Sequence, residues 1–306
     1  MAVETLLTSS RAPYYQTDLG AAWLGDSREL LTNVSDAAVN LIITSPPFAL
    51  TRKKEYGNES AEDYVEWFMD FAREFKRILA HDGSLVIDLG GAYLPGRPVR
   101  ALYQFELLIR MCKELGFNLA QEFFHYNPSR LPSPAEWVTV RRVRVKDAVN
   151  VVWWLSISEN PKANNRAVLK PYSDSMKQLL KTGYKAKVRP SGHEITDKFS
   201  RDNNGAIPPN LLELANTESN SAYLRRCKEA GIKPHPARFP AEFPRFFIDF
   251  LTDAGDVVLD PFAGSNTTGQ AAEMSGRQWL AFEIDETYLH GSIYRFQEVN
   301  DLFPVR

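Results

Sequence analysis

Short apolar runs, each ending at a polar or glycine turn and separated by helical periodicity, constrain this chain more than any other feature. Val39–Thr44, Ser84–Leu89, Leu119–Tyr126, Ala148–Ser156, Val257–Asp260 and Trp279–Glu283 are too short for buried helices and read as strands. Between them, Ala61–Leu79 carries Tyr64, Val65, Phe68, Phe71, Ala72, Phe75 and Leu79 on one helical face, with Ser60 as the expected cap and Asp82-Gly83 as the stop. Tyr103–Leu115, closed by Gly116, and the segments Phe243–Leu251 and Thr267–Met274 also read as helices. Strands alternating with helices imply a doubly wound α/β fold, a mostly parallel sheet covered on both faces. Ligands in such sheets bind beyond the carboxyl ends of the strands.

The chain has 306 residues, one large domain or two small ones, and its 44% apolar content is enough for a sizeable core. No run of 18 apolar residues predicts a membrane span, and the first residues lack the pattern of a secretory signal. Two cysteines, Cys112 and Cys227, argue against a disulfide scaffold, and the expected location is the cytoplasm. No Cys/His cluster has zinc spacing, so no metal is expected.

From 158 to 234 the pattern weakens. Pro, Asn, Ser, Gly and Lys are frequent, and only Ser173–Lys181 looks helical. Within Lys162–Arg201 ten Lys/Arg face three Asp/Glu, a net +7, which leaves −9 for the rest of a chain whose total is −2. A basic segment on an otherwise acidic protein is a candidate polyanion surface, though a solvated lysine-rich loop has the same composition. The expected organisation is 1–157, an irregular insert over 158–234, and 235–306.

Two turns carry chemistry. In Asp260-Pro261-Phe262-Ala263-Gly264-Ser265-Asn266-Thr267-Thr268 a strand runs into a one-glycine turn that opens a helix, so backbone N–H groups can approach a ligand. The turn lacks the three glycines of a dinucleotide fingerprint and the Lys-Ser/Thr ending of a triphosphate loop. Glu283, ending the next strand, is placed to accept from both hydroxyls of a ribose. In Ser45-Pro46-Pro47-Phe48, two prolines fix φ and remove two donors, leaving carbonyl oxygens aimed in a set direction beside a hydroxyl and a ring. Such an array suits a planar group bearing an NH2; taken alone, the tetrapeptide reads better as a structural turn, and its place at the end of a buried strand, in a chain that also carries Asp260–Ser265 and Glu283, makes the functional reading strong.

With these turns in this order, the chain resembles the S-adenosylmethionine-dependent amino-methylating DNA methyltransferases. More narrowly, it resembles the cytosine-N4 enzymes of bacterial type II restriction–modification systems in their permuted "beta" arrangement. Ser45-Pro46-Pro47-Phe48 matches the catalytic signature, and Asp260 to Gly264 the cofactor signature. His235-Pro236-Ala237-Arg238-Phe239-Pro240 resembles the methionine-contacting element, Gly25-Asp26-Ser27 the adenine-contacting element, and Phe124-His125-Tyr126-Asn127-Pro128 the aromatic element of the base pocket. The matches run from about Gly25 to Glu283.

The resemblance implies a Rossmann-like methyltransferase sheet, circularly permuted, in which 158–234 is the target-recognition insert. It implies catalytic roles for Ser45, Pro46, Pro47, Phe48 and Asp88. It implies S-adenosylmethionine contacts from Asp26, Pro236, Arg238, Phe239, Asp260, Phe262, Gly264, Ser265, Asn266, Thr267 and Glu283, and a base pocket including Tyr126 and Pro128. Expected DNA contacts are Arg141, Arg142, Arg144 and Lys146, and, in the insert, Arg189, Ser191, His193, Asn203 and Asn204. Gly205-Ala206-Ile207-Pro208-Pro209-Asn210 also resembles a segment of these enzymes. Duplex DNA is the implied partner, with a restriction endonuclease acting on the same site without direct contact, and no membrane; monomer and homodimer stay open.

The implied reaction flips the target base, stacks it on Phe48 with Tyr126 over its other side, and aims its amino lone pair with acceptors from Ser45 and Pro46. Asp88 either pairs with Ser45 and helps remove the proton or merely caps local N–H groups, and His125 is equally ambiguous. Ring-carbon methylation is disfavoured, because it needs a cysteine nucleophile and neither Cys112 nor Cys227 has that context. The alternative is adenine-N6 methylation, whose enzymes more often carry Asp or Asn in place of Ser45 and Tyr in place of Phe48. Methylation of RNA or of a protein amide, and a DNA-binding module without catalysis, rank below it.

Overall fold

The computed structural model describes residues 6–7, 11–49, 60, 63–183, 187–188, 194–195, 201–215 and 221–296. Its strands are β1 (Tyr15–Gln16), β2 (Gly20–Leu24), β3 (Val39–Thr44), β4 (Leu79–Leu89), β5 (Asn118–Tyr126), β6 (Val149–Ser156), β7 (Lys187–Val188), β8 (Glu194–Ile195), β9 (Leu211–Glu213), β10 (Val257–Asp260) and β11 (Gln278–Glu283). Its α-helices are α1 (Ser27–Thr32), α2 (Tyr64–Ile78), α3 (Tyr103–Leu115), α4 (Asp174–Thr182), α5 (Ala222–Glu229), α6 (Glu242–Leu251), α7 (Thr267–Met274) and α8 (Glu286–Ser292).

The chain divides into a larger unit, 1–163 with 210–306, and a smaller one, 164–209. The larger unit is built on one sheet of order β1-β2-β11-β10-β3-β4-β6-β5-β9. Strands β2, β11, β10, β3 and β4 run parallel, and β6 lies antiparallel between β4 and β5. Because side chains alternate along a strand, each strand feeds two cores. Ile42, Leu85, Ile87, Leu259, Leu280 and Phe282 pack on one face with Phe68, Phe75 and Leu107 of α2 and α3. Leu41, Ile43, Val86, Val258, Trp279 and Ala281 pack on the other with Phe243, Phe247, Ala272 and Leu289 of α6, α7 and α8. This is the expected doubly wound α/β fold.

Strands β3 and β10 are paired parallel neighbours, with Leu41 opposite Val258 and Ile42 opposite Leu259. The next strand after β3 is β4, on one side, while the next after β10 is β11, on the other. Neighbours that depart in opposite directions leave a crevice at their carboxyl ends. Both unusual turns, Ser45–Phe48 and Pro261–Gly264, begin there.

Several boundaries depart from the sequence reading. Asp82-Gly83 does not stop an element, because β4 runs through it; a register shift between Val39 and Leu41 absorbs the irregularity. The expected insert is not one body over 158–234. Strand β9 pairs parallel with β5, and α5, capped by Ser221, buries Tyr223 and Cys227 one helical turn apart, so residues 210–234 belong to the larger unit. Both elements are short, three and eight residues, which leaves little periodic signal. Within the smaller unit, Ser173 caps α4, β7 and β8 form an antiparallel pair, Lys170 bridges Ala206, and the Asn203 N–H donates to the Tyr172 hydroxyl at 2.8 Å. This unit keeps nine Lys/Arg against four Asp/Glu, a net +5.

The crevice is pinned by Asp260, which is 2% exposed. Its Oδ1 accepts from the Thr44 hydroxyl at 2.9 Å and the Phe262 N–H at 3.1 Å, and its Oδ2 accepts from the Thr268 hydroxyl at 2.6 Å. Burial pushes this carboxyl up to about 6, above its ordinary 3.8, against the opposing effect of those three donors. The folded protein therefore holds this proton more tightly than the unfolded chain does. The Asp260 contribution to stability is complete below pH 3.8 and declines as pH rises to about 6 and beyond. We predict that urea unfolding shows this decline, at most about 3 kcal/mol, and that Asp260→Asn, which keeps the shape without the titration, flattens it.

Candidate active site

A cavity of about 550 Å³ opens at the crevice, a size suited to a nucleoside-sized ligand. Ser45, Pro46, Pro47 and Phe48 line it from β3, Asp88 from β4, and Phe262, Gly264, Ser265 and Thr267 from the β10–α7 turn. Glu283 lines it from β11, Asp26 from the start of α1, and Pro236, Arg238 and Phe239 from the segment before α6. The two distant turns thus share one cleft.

The β10–α7 turn is held from three sides. Gly264 has φ +52°, in the left-handed region, and a Cβ there would sit 3.2–3.3 Å from the His235 ring. Its N–H donates to Glu283 Oε2 at 2.7 Å, while Glu283 Oε1 accepts from the Asp285 N–H at 2.9 Å. Burial raises the Glu283 carboxyl above its usual range, against these backbone donors. The buried Arg295 donates to the Ser265 carbonyl at 2.7 Å and to its hydroxyl at 3.0 Å. The Ser27 hydroxyl donates to the Pro261 carbonyl and ties α1 to the same turn. His235, edge-on to Tyr288 at 4.5 Å, is held by burial down to about 4 and is neutral at pH 7. Its Nδ1 stands 2.5 Å from the Ala237 carbonyl, so that nitrogen carries the proton. Phe262 packs against Phe71 at 5.0 Å and Trp67 at 5.8 Å, two cavity-wall residues of α2 that sequence reasoning treated only as core helix or left unnamed.

On the side of the Ser45–Phe48 turn, Thr44 lies opposite Ile87 in the β3–β4 register, so Ser45 comes level with Asp88. Phe48 seats over Gly90, where a Cβ would come within 2.5 Å of the ring. The Tyr103 hydroxyl fixes that glycine through its carbonyl. Beyond Asp88 a polar chain continues along the sheet edge. Asp88 Oδ2 stands 3.6 Å from His125 Nδ1 and accepts from Asn150 Nδ2 at 3.3 Å, and Asn150 Oδ1 accepts from Arg130 Nη1 at 2.8 Å. All four side chains line the cavity. Asp88 Oδ1 and both His125 ring nitrogens are buried without a hydrogen-bond partner among the described residues.

Four expected contacts are not on the cavity wall. Asp260 is the pin behind it. Asn266 is fully buried and caps α7, its Oδ1 accepting from the Gly269 N–H at 2.9 Å. On β5 the buried faces are Phe123 and His125, so strand alternation carries Tyr126 away and brings His125 inward. Pro128 presents its carbonyl to Lys146 Nζ at 3.2 Å. Arg141, Arg142, Arg144 and Lys146 are exposed on the segment after β5; Arg141 lies over the Trp137 ring and Arg144 donates to the Pro98 carbonyl. Asn203 and Asn204 are exposed in the smaller unit. Arg189, Ser191 and His193 lie outside the described residues.

A family profile described as DNA methylase matches residues 39–294. The chain belongs to the N6/N4 DNA methylase family. It is 52% identical, over 98% of its length and 90% of the relative's, to the type II methyltransferase M.PvuII of Proteus hauseri. A solved structure of PvuII DNA methyltransferase (cytosine-N4-specific) superposes with a TM-score of 0.78 at 45% identity, covering 96% of this chain and 92% of that one. The DNA adenine methyltransferase YhdJ of Escherichia coli is 24% identical over 89% of this chain and 80% of its own length. Members of this family are methyltransferases, and S-adenosylmethionine is the donor. The cavity suits such a molecule in size and lining: its wall carries Gly264, where no Cβ intrudes, the buried carboxylate of Glu283 and the aromatic rings of Phe48, Trp67 and Phe262.

Gly90→Ala tests the seat of Phe48. The ring must swing away at a stability cost of about 1 kcal/mol, and turnover on DNA should fall at least about tenfold with S-adenosylmethionine affinity unchanged, as read by calorimetry and single-turnover assay.

Proposed function

We propose that this chain methylates the exocyclic N4 amino group of a flipped cytosine in duplex DNA, using S-adenosylmethionine, and protects host DNA in a restriction–modification system. The observation that carries this reading is the shared cavity of the Ser45–Phe48 and Phe262–Gly264 turns on adjacent parallel strands. The 52% relative M.PvuII and the cytosine-N4 name of the matching solved structure support the choice of base.

The amino nitrogen of cytosine is a poor nucleophile, because its lone pair is delocalised into the ring. Bound S-adenosylmethionine supplies an electrophilic methyl on a sulfonium. The chain's own residues do the rest. Phe48 gives a flipped base a flat surface. The Ser45 hydroxyl and Pro46 carbonyl accept from the NH2, which favours a pyramidal nitrogen and withdraws its lone pair from conjugation with the ring. Acceptors fixed beforehand also offset the positive charge that grows on nitrogen. In this reading Asp88, level with Ser45, takes up the proton the nitrogen sheds. Phe262, Gly264, Ser265, Thr267 and Glu283 would hold the nucleoside part of the donor, Asp26 its adenine side, and Pro236, Arg238 and Phe239 its methionine side. The exposed cations Arg141, Arg142, Arg144 and Lys146 would carry duplex phosphates, with the basic 164–209 unit reading the site. Pairing with an endonuclease of the same specificity belongs to this reading.

The adenine-N6 alternative is favoured by the family's breadth, which includes YhdJ. Ser45 and the 52% relative count against it. Nucleoside mass spectrometry of DNA from cells expressing the protein decides, with N4-methylcytosine expected; N6-methyladenine in its place overturns the proposal. Two variants divide the labour. Ser45→Ala should lower kcat by about 100-fold with cofactor affinity kept within about twofold. Glu283→Ala should weaken S-adenosylmethionine binding at least about tenfold and cost about 1–3 kcal/mol of stability, because the Gly264 and Asp285 N–H groups lose their acceptor.

A further inference from the structure

The polar chain along the sheet edge leads away from Ser45 in a fixed order, Asp88 on β4 and then Asn150 on β6, with Arg130 bonded to Asn150. A base whose amino group lies at Ser45 extends its ring along that edge. The two exocyclic heteroatoms of cytosine sit meta on a six-membered ring, roughly 4.8 Å apart, and with a hydrogen bond of about 2.9 Å at each end the base bridges roughly two strand spacings, the separation of β3 from β6. At the far end of that span cytosine presents O2, a strong acceptor, where adenine presents only a C–H.

Arg130 is half-buried, lines the cavity, and has its guanidinium plane set by the 2.8 Å bond from Nη1 to Asn150 Oδ1. Guanidinium is donor-only and always charged, so inside the cavity it can be matched only by an acceptor. Asn150, in turn, is held by Asp88. We propose that Arg130, oriented by Asn150, donates to O2 of the flipped cytosine and is the residue that excludes adenine from this cavity. A wrong base leaves the guanidinium desolvated against a C–H. This rests on the cytosine-N4 reading and adds the residue that enforces it. It also gives the Asp88–Asn150 contact a purpose beyond local packing: one network ties the acceptor at the amino end of the base to the donor at its keto end.

The test uses the full-length protein and duplex oligonucleotides carrying the sequence context found methylated in expressing cells, with the target as cytosine or as 2-thiocytosine, whose sulfur is a much weaker acceptor. Single-turnover methylation is measured for wild type, Arg130→Ala and Arg130→Lys. Wild type should lose about tenfold or more on the thio substrate, in line with a charged hydrogen bond. Arg130→Ala should be slowed about 10–100-fold on cytosine and show no further loss on thiocytosine. Arg130→Lys, a point donor without the planar fork, should fall between them, and keeps the test open if the alanine variant does not fold. Equal thio penalties in wild type and variants would overturn the inference while leaving the cytosine-N4 reading intact. That outcome, together with a shallower salt dependence for the variants, would instead place Arg130 on a phosphate. A wild-type enzyme that methylates adenine alone overturns both, since that base has no acceptor for Arg130 to meet.

Discussion

The site depends on one buried carboxylate that never faces it. Asp260 ends β10 and binds the hydroxyl that ends β3, the hydroxyl in the first turn of α7 and the N–H of Phe262. Three donors from three segments converge on two oxygens. Parallel neighbours bring the strand ends to the same edge, but pairing alone leaves the loops beyond them free to diverge. The Asp260 bonds fix where each loop leaves the sheet, and so fix the Ser45 turn relative to the Phe262 turn. Burial strains against this arrangement, which is why the carboxyl is raised despite three donors.

Around that pin the cavity divides its materials by chemistry. The wall at the β10–α7 turn is made of backbone and small residues, with Gly264 close against His235 and braced by Glu283 and Arg295. A flexible side chain would blur a surface meant to follow a nucleoside. The wall beside Ser45 is made of a two-proline turn, one aromatic ring seated over a glycine, and a polar network whose members hold one another. Asp88 Oδ1 and the two ring nitrogens of His125, buried without a hydrogen-bond partner among the described residues, mark where that network is left open. Buried polar atoms left open are costly, and here they cluster at the wall where a base edge would complete them.

Much of the fold was legible in the residues. The strand Val39–Thr44, the helix Tyr103–Leu115 with its glycine stop and the β10–α7 turn emerge within a residue or two of where periodicity puts them. Gly20–Leu24, β9 and α5 escaped because short elements with few β-branched residues, or only one buried turn, carry no period to read. Of the site, the residues within a turn were legible, since backbone stiffness and small side chains are local properties. Those set by strand parity were not. Tyr126 and His125 are adjacent in sequence and point to opposite sides, and only the pairing of β5 with β6 decides which one faces the cavity.

Sequence alone thus determined the kind of sheet, the two stiff turns that border its crevice, and the family to which such turns belong, because each is written in contiguous residues whose conformational limits are their own. Tertiary structure decided the rest. Asp260 and Asn266 turned out to be scaffold, while His125, Asn150 and Arg130 joined the wall. Both outcomes follow from register and strand order, which bring together residues far apart along the chain and are set by how whole strands pair, not by any one segment.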